Sequence, residues 1–384
     1  MISFFILFSV FLFLAEWYSL KKGLEKVTYD VHVSQTLLEP DEKFTVNSII
    51  ENRKFWFLPY IDMVETFPHN IQIPGEEKNI SDEGITYSLS SQLSTNAYDK
   101  MSAAKLHSSF YMMPYQRLDR TLEASIPVRG RYIFSGCYIH GGDFLGIKDG
   151  ATEFTTHKEV VVMPRSLPSP DFDSFLGGLI GDVSIRRFIY EDPMLTIGFS
   201  DYTGREPMRD ISWTQSARLG KMMVKNYDHT TDVCVSIILN VQSTVNGSED
   251  EELVETCFSM TRSICEYLEK RQIKYRFTTN AIPLGMLDCI SSVDQGFGNV
   301  HFYTIMEILG RASLSACENF AVTLRRACGN CEQGEYHIVI SPNENAVWEE
   351  NYHKLQELSQ NKTFLLTPAS FISQNTDNKE EEIA

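Results

Sequence analysis

The sequence predicts a three-part chain: an N-terminal transmembrane helix, a β-sandwich, and an α/β domain of Rossmann-like type. Three observations predict it. Residues 2–15 carry no charge. Residues 27–164 fall into short runs that alternate apolar and polar side chains between Gly, Pro and Asn, the period-two pattern of half-buried strands. From residue 232 onward, apolar runs alternate with stretches of helical spacing, as strand–helix units do in a doubly wound sheet. The expected boundaries are an anchor over 1–20, a sandwich over 27–164, a linker region over 165–231, an α/β domain over 232–370 and a disordered acidic tail over 371–384. A length of 384 residues suits two domains of ordinary size, and 43% hydrophobic with 22% charged residues is a globular balance.

The anchor rests on "MISFFILFSVFLFLAEWYSL". A membrane helix needs about 20 residues, and Trp17 and Tyr18 can extend the apolar run as interfacial residues. A cleaved signal peptide would want a basic start and a small-x-small cleavage site, and neither is present. Lys21, Lys22 and Lys26 all follow the run, so the expected arrangement is single-pass in the cell membrane with the bulk of the chain cytoplasmic. A net charge of −17 argues against nucleic acid as a partner, because phosphate binding needs a basic face.

In the sandwich, "VTYDVHVSQ" alternates, and "FTVNSIIEN" ends in an Asn-Arg-Lys turn before "FWFLPYIDMVE". "TLEASIPV" and "RYIFSGCYI" flank Arg129-Gly130, which reads as a hairpin turn, with Leu122, Ala124, Ile126 and Val128 on one face. Residues 81–104 are polar and poorly patterned and read as a long loop or an edge. Glycine-rich "GGLIG" at 177–181 reads as linker, because no strand leads into it.

In the second half, "VCVSIILNV" is the continuous apolar run of a strand buried on both faces. Ser248 and Glu251 form an S-x-x-E capping box, followed by Val254, Cys257, Thr261, Ile264, Cys265 and Leu268 at helical spacing. Strands "IKYRFTTN", "YHIVIS" and "TFLLTP" then alternate with helical "FYTIMEILGRA", "CENFAVTLRRAC" and "AVWEENYHKLQEL".

An open α/β sheet carries its site at the C-terminal ends of its strands. In von Willebrand factor A-type domains that place holds D-x-S-x-S and a magnesium ion. Asn240, Gln242 and Thr244 stand at the corresponding positions, with an amide where Mg²⁺ prefers a carboxylate, so a degenerate ion site and no metal are expected. No H-E-x-x-H, G-x-S-x-G or P-loop spacing occurs. The eight cysteines are scattered and read as reduced and buried. "CGNC" at 328–331 has motif spacing, but it lacks the second pair of a zinc ribbon. It also follows a helix and precedes a strand, the reverse of a thioredoxin-like site.

One stretch remains, "EDPMLTIGFSDYTGREPMRDISWTQSARLGKMMVKNYD", holding Asp192, Asp201, Tyr202, Glu206, Arg209, Ile211, Trp213, Ser216 and Arg218. A tyrosine, then R-x-I-x-W, then Ser-Ala-Arg resembles the family called domain of unknown function 58, here as Tyr202, Arg209, Ile211, Trp213 and Ser216 to Arg218. "LEPDEKFTVNSIIENRKFWFLPYIDM" and "RGRYIFSGCYIHGGDFLGI" resemble that family's upstream segments. Arg205-Glu206 departs from the Gly-Asp that many members carry before the motif. The resemblance implies an immunoglobulin-like sandwich and a von Willebrand factor A-like domain. No cofactor is expected; the resemblance implies no established enzymatic activity, and it implies a MoxR-type AAA+ ATPase as partner. The expected function is a membrane-anchored, non-enzymatic adaptor or assembly factor. The alternatives are a metal-dependent ligand-binding A-type domain and a thiol or hydrolytic enzyme. Physically, Arg209, Ile211 and Trp213 alternate, so an extended segment would turn all three inward, with Asp201 or Glu206 pairing the arginine. That is a structural lock. The competing reading takes Tyr202, Arg209, Trp213 and Arg218 as hot-spot residue types awaiting a partner.

Overall fold

The computed structural model describes residues 4, 6–10, 13, 17, 23–68, 70–73, 104–141, 150–167, 192–204, 207–228, 234–243, 248–286, 292–331, 335–344 and 346–369. Most of the expected loop at 81–104, the glycine-rich 177–181 and the tail at 371–384 lie outside them. The chain divides into two compact units, residues 1–165 with 309–311 and residues 166–308 with 312–384. The segment 165–231, expected as a linker, belongs almost wholly to the second unit.

The expected fold class needs correcting. No helix among the described residues is long and apolar enough to cross a membrane. Residues 4, 6–10, 13 and 17 are helical. From residue 23 onward, the described residues form seventeen strands against five α-helices, mostly β-sheet.

The first unit is a β-sandwich. Strands β1 (Val27–Val33), β2 (Leu37–Leu38), β3 (Lys43–Asn52), β4 (Leu58–Phe67), β5 (Ala104–Met112), β6 (Arg117–Ser125), β7 (Gly130–Gly141) and β8 (Gly150–Val162) build it. They form a three-stranded sheet ordered β1-β3-β6 and a five-stranded sheet ordered β2-β8-β7-β4-β5. Alternate residues of both sheets meet in one core, with Phe44, Val46 and Ile50 from β3 and Ile61, Met63, Tyr132, Phe134 and Ile139 from β4 and β7. Asn52 ends β3 buried, its Nδ2 donating to the Trp56 and Met113 carbonyls at 2.9 Å each, which fixes the expected turn.

Arg129-Gly130 does not join a hairpin. β6 pairs with β3, whereas β7 pairs with β4 and β8, so the chain crosses between sheets there. Ala124 and Ile126 are buried as expected, but β6 ends at Ser125 and Val128 is 46% exposed.

Glu65 lies 1% exposed within this unit. It is ion-paired with Arg120 and accepts a hydrogen bond from the Tyr29 hydroxyl at 2.8 Å. Burial raises the Tyr29 hydroxyl above its ordinary value and lowers the Arg120 guanidinium. A buried carboxylate persists only with such partners.

The second unit begins, among its described strands, with β9 (Asp192–Asp201) and β10 (Met223–Asp228), which form an antiparallel pair. Between them lie a 3₁₀ turn (Met208–Asp210) and helix α1 (Trp213–Leu219). Strand β11 (Cys234–Leu239) is buried along its whole length. Helix α2 (Ser248–Lys270) follows, with Val254, Cys257, Phe258, Thr261, Ile264, Cys265 and Leu268 on its buried face. Next come β12 (Lys274–Thr279), β13 (Ala281–Pro283), β14 (Ser292–Gly296), α3 (Asn299–Arg311, its last residues grouping with the first unit), β15 (Ala312–Ala316), α4 (Phe320–Gly329), β16 (Tyr336–Ile340), α5 (Ala346–Leu358) and β17 (Thr363–Leu366). The main sheet runs β14-β12-β11-β16-β17, parallel except for the edge strand β14. Helices α4 and α5 pack Phe320, Leu324, Trp348 and Leu355 against Ile238 and Val339.

Candidate functional site

Three places in the second unit concentrate polar or exposed aromatic side chains. The first is the C-terminal end of the parallel strands. Asn240 leaves β11 there, 1% exposed. Its Nδ2 donates to the Gln242 carbonyl at 3.2 Å and to Ser341 Oγ at 3.0 Å. Its Oδ1 accepts from the Gln242 N–H and from Asn280 Nδ2, both at 2.9 Å. A primary amide offers two donors and two acceptor positions, so Asn240 is fully engaged. Asn280 Oδ1 accepts the Val241 N–H at 2.9 Å, and Gln242 Oε1 accepts the Phe320 N–H at 3.2 Å, at the start of α4. The network is neutral and internally satisfied, with no carboxylate among these groups. Thr244 lies outside the described residues. The sequence singled out Asn240, whereas its partners Asn280 and Ser341, 40 and 101 residues away, were not legible.

The second place is the motif segment. Asp201 is exposed and pairs with Lys221 at 2.6 Å; its expected pairing with Arg209 falls on a side chain outside the described residues. Tyr202 is half-buried and its N–H donates to the Met222 carbonyl at 2.9 Å. Glu206 lies outside the described residues, as do the side chains of Asp192 and Arg209. Ile211 is 3% exposed and bridges to Val224. Trp213 is not an inward-facing member of an alternating segment. The 3₁₀ turn and α1 replace the extended backbone, and Trp213 opens the helix 61% exposed. Ser216 ties that helix down: its Oγ donates to the Ser212 carbonyl at 2.8 Å and accepts the Met223 N–H at 2.9 Å. Gly220, at φ 68°, caps α1 in the left-handed region. Arg218 is exposed. No residue of α1 is buried, while Leu219, Met208, Met222 and Phe199 are exposed around it at 56%, 68%, 43% and 41%.

The third place lies toward the opposite end of the sheet. Cys331, Glu335 and His337 bring one thiol, one carboxylate and one imidazole within 4.8 Å of one another. Cys331 Sγ is 3.3 Å from His337 Nε2. Arg276 Nε stands 2.7 Å from Glu335 Oε1. Burial, aided by Arg276, lowers His337 to about 4, so its ring is neutral at pH 7. Burial and the nearby Glu335 push the Cys234 thiol up to about 11. Sequence reasoning singled out Cys331 by its spacing from Cys328. Yet Cys328 Sγ is turned to the Asn351 carbonyl at 3.8 Å, and Cys331 Sγ lies against His337, six residues downstream.

No family model matches the chain, and no curated protein matches it. Several solved structures overlap part of it. A CARDB domain from Pyrococcus furiosus, in complex with di-metal ions, is 8% identical over 36% of this chain and 92% of its own, with a TM-score of 0.21. A native alpha-2-macroglobulin fragment from Escherichia coli is 10% identical over 36% of this chain and 23% of its own, at 0.24. A cohesin module from a Clostridium perfringens family 33 glycoside hydrolase is 10% identical over 35% of this chain and 96% of its own, at 0.23. Scores at this level do not establish a shared fold.

Proposed function

We propose that the chain is a non-enzymatic protein-binding adaptor, and that the β9–β10 pair with helix α1 is its docking surface. The observation that carries this reading is α1 itself, seven residues with none buried and Trp213 61% exposed at its start. A helix this short is marginal unless its surroundings hold it. Ser216 and Gly220 do hold it, so the chain maintains a helix that buries nothing of its own. Exposed tryptophan and methionine beside arginine is the composition of interface hot spots. The resemblance of the Tyr202–Arg218 motif to the domain of unknown function 58 family supplies the partner, a MoxR-type AAA+ ATPase. The metal-dependent alternative requires an oxygen to spare at Asn240, and all four hydrogen-bonding positions there are taken.

The test uses the full chain and a purified MoxR-type ATPase, with binding followed by calorimetry with and without ATP. Trp213→Ala is expected to weaken binding about tenfold or more while leaving the melting temperature nearly unchanged, because the side chain contributes little to the core. Unaltered binding by Trp213→Ala removes the docking surface, and no binding by the natural chain removes the ATPase.

A further inference from the structure

We propose that Cys331, Glu335 and His337 bind a zinc ion. The three donors come from consecutive parts of the fold. Cys331 follows α4, Glu335 immediately precedes β16, and His337 is the second residue of that strand. Residues two apart on an extended segment project to the same side, so Glu335 and His337 share a face, and the turn out of α4 brings Cys331 onto them. The 3.3 Å from Cys331 Sγ to His337 Nε2 is close to the edge of a zinc tetrahedron, in which Zn–S is about 2.3 Å and Zn–N about 2.0 Å. All three donor atoms lie within 4.8 Å of one another.

A second observation points the same way. His337 is 1% exposed, and its Nδ1 has no hydrogen-bond partner. Nε2 faces a thiol, a weak hydrogen-bonding group. Burying an imidazole on those terms is unfavourable; a zinc–nitrogen bond at Nε2 would replace the weak thiol contact there, while Nδ1 stays unpaired with or without the metal. The bland alternative, a core histidine with satisfied hydrogen bonds, does not describe this ring.

Zinc binding forms a Zn–S bond as the Cys331 thiol releases its proton to solvent. A dication with one thiolate, one carboxylate and a neutral imidazole is neutral within its ligand set, and the Arg276 guanidinium adds one positive charge beside it. Arg276 already stands on Glu335 Oε1 and orients the carboxylate. Thiolate with imidazole selects zinc over magnesium or calcium. Three protein ligands leave one position for water, as in open zinc sites. Cys328 is not a ligand, because its sulfur is turned to Asn351.

The experiment uses the reduced, chelator-stripped full chain, titrated with Co²⁺ and then with Zn²⁺ against a chromophoric competitor. One equivalent is expected to bind, with a thiolate-to-cobalt charge-transfer band. Cys331→Ser is expected to lose the band and to weaken zinc binding about tenfold or more. Cys328→Ser is expected to bind as the natural chain does. Cys331 is only partly buried, so its serine variant tests the site even if His337→Gln does not fold. Absence of stoichiometric binding, an unchanged band in Cys331→Ser, or loss of binding in Cys328→Ser overturns the proposal. So does a Cys331 that alkylates readily yet shows no cobalt band, which would be a reactive thiol and not a metal ligand.

Discussion

Residue by residue, the sandwich is most exposed to damage at Glu65. Its carboxylate is enclosed with Arg120 and Tyr29, and removing it leaves a guanidinium without its counter-charge in a partly desolvated place. Glu65→Ala is expected to cost about 3 kcal/mol, seen as a lower urea midpoint at constant slope. A loss under about 1 kcal/mol would mean that the pair is hydrated in solution. The sequence announced none of this, because Glu65 and Arg120 each sit in an ordinary alternating run and meet only when β4 and β6, in different sheets, face one another. Cys331 was singled out for its spacing from Cys328 and found near His337, since spacing along the chain says nothing of which strand passes beside a turn. Asn240 shows the converse. Its position was readable from the sequence, while Asn280 and Ser341, which satisfy its amide, had to be folded into place.

Elements were legible in proportion to their length and apolar continuity. β11, β12, β16 and β17 and helices α2 to α5 lie where the periodicity puts them, because a run buried on both faces or a stripe sustained over several turns leaves little choice. Helix α1 was not legible. Seven residues with no buried face show no 3.6-residue stripe, so Arg209, Ile211 and Trp213 passed for an alternating strand. Arg129-Gly130 misled differently, since a turn reads the same whether the chain returns along its own sheet or crosses to the other. At this scale α3 carries a pH dependence. His301 meets the Tyr275 carbonyl through Nε2 at 2.9 Å, and burial holds its ring below the ordinary value, with the carbonyl and Glu269 opposing. A lowered folded value means that the unfolded chain binds the proton more readily. Stability is therefore expected to fall as pH drops through about 6.5 toward the folded value. His301→Phe should flatten that part of the melting temperature–pH curve, and an unchanged slope would assign it to other groups.

For the whole molecule, composition and patterning pointed to two cores, and among the described residues no helix is long and apolar enough to cross a membrane. The function proposed does not depend on the N-terminal segment. It depends on a short surface helix that the chain holds in place without burying, and function is argued from such sites, not from the fold around them. Amide hydrogen exchange of the full chain, alone and with a MoxR-type ATPase, tests this most directly. New protection is expected over residues 208–224, covering the 3₁₀ turn, α1 and the start of β10. Protection confined to other segments, with 208–224 exchanging as in the free chain, would contradict it.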